Sequence, residues 1–99
     1  GINAEYGKKM IIEFLGGLEL LTKDKQNKFI LDQEEVKKDQ VVKIVADNYI
    51  MKDKDLFCQE GQLAEGILFL INDVDVELYD EEMLKKEDKI TFISMVHGG

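Results

Sequence analysis

Only one stretch of this chain carries an apolar period suited to a long helix. Val41, Val42, Val45 and Tyr49 fall on one helical face, with Ile44 and Ile50 beside it. Asp39 is placed to cap its start. Lys52 and Lys54 lie just past its end, where cations complement the helix dipole. Every other apolar run is short, so the rest of the fold must be strands that share this one helix.

Those strands are readable in order. From Lys8, strand formers Met10, Ile11, Ile12, Phe14 and Leu15 surround Glu13. Gly16-Gly17 reads as a turn, with Leu18 to Leu21 extended or irregular after it. Lys23 to Lys28 reads as a polar loop, and Phe29 to Leu31 as a second strand. The acidic stretch Asp32 to Asp39 leads into the helix. A loop with Leu56, Phe57 and Cys58 follows it. Gly66 to Asn72, GILFLIN, is a short run apolar throughout and reads as a central strand. Asp73 to Asp75 reads as a turn, Val76 to Leu78 as a short return strand, and Asp80 to Asp88 as a charged loop or one helical turn. Lys89 to Val96 is the final strand. Residues 1–7 are expected to be a flexible arm, 8–96 one domain and 97–99 a flexible tail.

Two early strands joined by a short turn should pair antiparallel, and the helix supplies the crossover that a parallel pair requires. The expectation is an α+β, β-grasp (ubiquitin-like) architecture: a mixed sheet with one main helix across one face. The first and last strands, the most apolar, should sit centrally.

One helix covers one face of a sheet, yet GILFLIN is apolar at both parities. Ile67, Phe69 and Ile71 share one face, and Leu68 and Leu70 the other. Ile93 and Met95 are likewise opposite in phase to Ile90 and Phe92. A strand half in water should alternate. Two readings follow. The uncovered face keeps an apolar patch of the kind that docks proteins, with Ile93, Leu68 and Leu70 as its candidates. Or loops such as Leu18 to Leu21 and Leu56 to Phe57 fold over it.

Composition excludes several functions. Lys plus Arg number 13 against 21 Asp plus Glu, a formal charge of −8. An acidic surface repels phosphate backbones, so direct nucleic-acid binding is not expected. The longest uninterrupted apolar run, Ile67 to Ile71, is far too short to span a bilayer. No basic-then-apolar opening reads as a secretory signal. A single cysteine, Cys58, and a single histidine, His97, leave no thiolate metal site and no internal disulfide, and no resident metal or cofactor is expected. The thiol usage points to a reducing compartment, cytoplasm with the nucleus as a second possibility. Cys58 with His97 makes a poor nucleophile and base, because a base on a mobile tail is badly positioned. Cys58 reads instead as a small buried hydrophobe. The chain is not expected to be an enzyme, and no catalytic residue is assigned.

The ending His97-Gly98-Gly99 carries the most functional information. Two residues without Cβ make a thin tail able to thread a narrow channel. A terminal carboxylate is ionised at neutral pH and a poor electrophile. It becomes reactive once another enzyme activates it, for instance as a mixed anhydride with AMP open to attack by a thiolate, persulfide or amine.

GILFLINDVDVEL (Gly66 to Leu78) and ITFISMVHGG (Ile90 to Gly99) together resemble the ubiquitin-related modifier family, the eukaryotic ubiquitin-like sulfur carriers. Weaker similarity reaches back through the helix and the first strand. One departure is Val76, where the family usually has Trp; it should alter packing beside the turn and not the chemistry. The Lys23 to Lys28 loop also fits poorly. The resemblance implies that an E1-like adenylating enzyme with a rhodanese-type sulfurtransferase domain activates Gly99 with ATP and converts it to a thiocarboxylate. It implies that the sulfur serves a tRNA thiolase complex in wobble-uridine 2-thiolation, and that the same terminus is joined to lysines of target proteins. The alternatives are a sulfur carrier for molybdopterin or thiamine synthesis, and a ubiquitin-like adaptor domain that only binds.

Overall fold

The computed structural model describes residues 9–96; the expected arm at 1–7 and tail at 97–99 lie outside them. Strand β1 (Met10–Leu15) turns back into β2 (Lys28–Leu31), then come β3 (Glu35–Lys37) and the helix α1 (Val41–Tyr49). A hairpin β4 (Cys58–Gln59) and β5 (Gln62–Leu63) precedes β6 (Ile67–Ile71), β7 (Val74–Asp75), β8 (Met83–Lys85) and β9 (Lys89–Ser94).

The main sheet runs β2-β1-β9-β6-β7. β1 is antiparallel to β2 and parallel to β9, and β9 is antiparallel to β6. The first and last strands are therefore interior, as their apolar content demands, and α1 packs across one face. This is the β-grasp arrangement.

The core lies between α1 and the sheet. Val41, Val45, Ala46 and Ile50 bury one stripe of the helix against Met10, Ile12 and Phe14 of β1, Phe69 and Ile71 of β6, and Ile90 and Phe92 of β9. Phe92 is its aromatic hub. Its ring centroid lies 4.8 Å from that of Phe69, 5.0 Å from Phe57 and 5.9 Å from Phe14. These separations are those of favourable offset and edge-on aromatic pairs.

Several local expectations are corrected. Leu18–Leu21 and Lys23–Lys25 are 3₁₀ turns, and Lys28 already belongs to β2. Asp39 does not cap α1. The chain is already turning at Lys38–Gln40, so Gln40 holds the capping position and no side chain caps it. The turn after β6 is Asn72-Asp73, both at positive φ (51° and 68°), the two-residue geometry that matches strand twist. The return strand is accordingly Val74–Asp75. Val76–Leu78 is a 3₁₀ turn, started by Asp75 Oδ1 accepting from the Glu77 N–H at 2.9 Å. The charged segment after Asp80 contains β8, which pairs with β3 in the acidic stretch before the helix. That small sheet rests on the cross-strand pair Val36 and Leu84, both buried. Val36 stands alone among charges, and Leu84 has only Met83 beside it, too little for a period to register.

Asn72 also ties the hairpin to the neighbouring strand. Its Oδ1 accepts from the Lys89 N–H at 2.9 Å, and its Nδ2 donates to Asp88 Oδ1 at 2.8 Å. A small polar side chain tolerates positive φ and supplies both contacts.

Candidate functional site

Alternation along the strands puts Ile12, Phe14, Phe69, Phe92 and their phase-mates under α1, and their neighbours on the opposite face. The register then fixes that second face row by row. Leu15 of β1 stands beside Ile93 of β9, and Ile93 beside Leu68 of β6. The next row runs Lys28, Glu13, Thr91, Leu70, Asp75 across all five strands.

Ile93 and Leu68 are direct cross-strand partners, and Leu70 lies diagonally from Ile93. All three are half-buried. The fold thus places the three candidate docking residues together on the face opposite α1. Leu15, also half-buried, extends the row, and the exposed Met95 follows Ile93 in phase. Leu15 was missed by sequence reasoning, although its phase opposite Phe14 was a signal for it.

The segments named in the rival reading belong to the core cluster. Leu18, Leu21 and Phe57 are buried, but in the cluster that α1 shares with the sheet. Phe57 packs on Phe14 and Phe92, which point towards the helix. The segments expected to close the open face therefore help to close the other one. Leu56 is exposed.

The last described residues leave the sheet through a passage shaped by two glycines. Gly16 has φ +70°, and a Cβ there would collide with the Ser94 carbonyl. Gly66 has φ +84°, and a Cβ there would collide with Val96. The Met95 N–H donates to the Gly66 carbonyl at 2.7 Å, so the strand is held up to this point. Both positions favour glycine for backbone conformation, and Gly16 also for space, because its obstacle is the Ser94 backbone. His97, Gly98 and Gly99, which carry the proposed chemistry, lie beyond, outside the described residues.

Cys58 is half-buried in β4 and packs against the core. Its surroundings are hydrophobic, in keeping with a packing role. Val76 is half-buried against the same core. The open face thus has an apolar row, Leu15, Ile93 and Leu68, beside a mixed row that carries Lys28, Glu13 and Asp75 at its flanks.

Comparison with known proteins identifies the frame. A family model described as Urm1 (Ubiquitin related modifier) matches residues 9–99. A ubiquitin-related modifier 1 of Sclerotinia sclerotiorum is 41% identical, the alignment covering 91% of this chain and 93% of that protein. One from Kluyveromyces lactis is 36% identical over 92% of this chain and 98% of its own length. The solution structure of Urm1 from Trypanosoma brucei superposes with a TM-score of 0.75 at 33% identity, covering 93% of this chain and 96% of that one. A match over nearly the whole length, in sequence and in fold, settles the assignment: this chain belongs to the ubiquitin-related modifier family.

Proposed function

We propose that this ubiquitin-like modifier works as a sulfur carrier and protein tag through the carboxylate of Gly99. The observation that carries the proposal is the family match, which runs through His97-Gly98-Gly99. The apolar face ending beside the tail's exit supports it.

The chemistry follows from the carboxylate. An E1-like enzyme binds the modifier through the face around Ile93, Leu68 and Leu70 and threads the tail into its ATP site. A carboxylate oxygen attacks the α-phosphorus of ATP, and pyrophosphate leaves. The resulting acyl-adenylate is a mixed anhydride whose carbonyl carbon is open to attack. A persulfide on a rhodanese-type domain attacks it and AMP leaves. A second thiol cleaves the acyl disulfide, forming a new disulfide and releasing the thiocarboxylate. That sulfur serves tRNA wobble-uridine 2-thiolation. When a lysine amine attacks the activated carbonyl instead, an isopeptide bond forms and the chain becomes a tag. These partners are cytoplasmic, with the nucleus a further compartment. Among the described residues no helix is long and apolar enough to cross a membrane.

The test is intact mass measurement after incubation with ATP, a sulfur donor and the cognate activating enzyme. The chain should gain the mass difference between sulfur and oxygen, and deleting Gly99 should abolish the gain without lowering the melting temperature. Sulfur uptake by a chain extended past Gly99 and not trimmed would refute the mechanism. Cys58→Ala should transfer sulfur nearly as well as the parent. A tRNA thiolation assay with the loaded protein separates this role from supply to molybdopterin or thiamine synthesis.

A further inference from the structure

The two margins of the main sheet are finished differently. At the β2 margin, the Phe14 N–H donates to the Asn27 carbonyl at 2.8 Å. By the two-residue alternation of an antiparallel ladder, Lys28 and Ile30 therefore turn their backbone groups outward. Both outward carbonyls are occupied. Gln26 Nε2 donates to the Lys28 carbonyl at 2.5 Å, and Tyr49 Oη to the Ile30 carbonyl at 3.2 Å. Side chains block this edge against another strand, a known defence against edge pairing.

The opposite margin is only partly covered. β7 pairs with Leu70 and Ile71 alone. Among the described residues no strand lies beside Ile67, Leu68 and Phe69 on the side away from β9. That flank opens into a groove of about 600 Å³. Its floor is apolar: Val42, Leu63, Ile67 and Val76 are half-buried against the core. Asp39, Asp75 and Glu77 supply negative charge at its rim. Lys38, also in the lining, is engaged, its Nζ donating to the Tyr79 carbonyl at 2.6 Å.

We infer that this groove takes an extended segment of a protein partner, added as a short strand along Ile67–Phe69. Three residues of β6 offer about 10 Å of strand, enough for a short β-addition. Side chains of an added strand alternate. Those turned towards the helix would rest on Val42 and Leu63, and those turned away would lie beside Leu68. The segment must therefore be apolar at both parities. The acidic rim selects Lys or Arg at its ends. This surface shares Leu68 with the proposed activation face but lies apart from the chemistry at Gly99, and it needs no activating enzyme to be tested.

The probe is a blocked synthetic peptide of alternating valine and isoleucine flanked by arginine, titrated into the ¹⁵N-labelled chain. Saturable shifts should centre on Val42, Leu63 and Ile67–Phe69. Proline at the middle of the peptide removes a main-chain donor and should weaken binding at least about tenfold. Exchanging the arginines for glutamates should do the same. Glu77→Lys, at an exposed position, should weaken binding about fivefold and leave the melting temperature unchanged. The inference is overturned by no saturable shift at millimolar peptide, by equal binding of the proline peptide, by indifference to Glu77→Lys, or by shifts centred on Ile30 or Ile93.

Discussion

The face of the sheet under α1 and the face opposite it are made by the same strands, and both are rich in apolar side chains, yet only one is closed. Under the helix, Phe14, Phe69 and Phe92 meet Val41, Val45 and Ile50, and the excursions at Leu18, Leu21 and Phe57 close the gaps. On the other side, Leu15, Ile93 and Leu68 form a row that is only half-buried. Apolar residues at both parities normally mark a strand buried on both faces. Here, among the described residues, the second burial is only partial. A stability argument accounts for the first face; the second is the one proposed above to meet a partner.

The comparison breaks most easily at Phe92. It is fully buried and touches three other aromatic rings. Phe92→Ala should cost about 3–5 kcal/mol, a large part of the roughly 5–15 kcal/mol that a domain has in total. Chemical denaturation measures it. A loss under about 1 kcal/mol would mean that the covered face is not the seat of the core.

Its chain neighbour should behave differently. Ile93 follows Phe92 but points to the open face. Ile93→Asp should cost only about 1 kcal/mol of stability, as for a half-buried surface position. A central interface contact is worth about 2 kcal/mol or more, so adenylation by the activating enzyme should fall more than about tenfold. Thermal melting and an adenylation assay read the two effects separately. Severe unfolding would mean that the open face is closed after all, and a normal melt with normal adenylation would remove Ile93 from the docking surface.

How much of this was legible in sequence depended on local signal strength. β1, β6, β9 and α1 are long or strongly apolar, and the apolar content of the first and last strands implied that both sit centrally. The open face was legible as a conflict: GILFLIN has more apolar parity than one helix can cover. What closes which face was not legible, because Leu18, Leu21 and Phe57 reach the core from irregular turns with no period. β3 and β8 were invisible for a related reason, each resting on one buried residue, Val36 or Leu84, among charges. The Asn72-Asp73 turn was misplaced by one residue because the acidic run offers several turn formers in succession. Only positive φ at both central residues singles out the pair that turns. The groove beside Ile67–Phe69 exists because β7 stops after two residues, and no sequence feature marks that stop.

The smallest effect tests whether the open face is as dry as its packing implies. Thr91 lies on that face between Glu13 and Leu70, yet only 3% of its surface is accessible. Its Oγ1 is buried and has no hydrogen-bond partner among the described residues. A buried hydroxyl without a partner costs about 1–3 kcal/mol by mutational measures. Thr91→Val keeps the branched shape and the strand preference while removing the hydroxyl. The variant should be more stable by about 1 kcal/mol, seen as a higher denaturation midpoint with an unchanged slope. The same change should leave adenylation alone, because the hydroxyl is covered by its neighbours and offers a partner nothing. A loss of stability would instead show that the hydroxyl is hydrogen-bonded in solution. Water would then reach the middle of the open face, and the contrast with the face under α1 would be sharper than packing alone suggests.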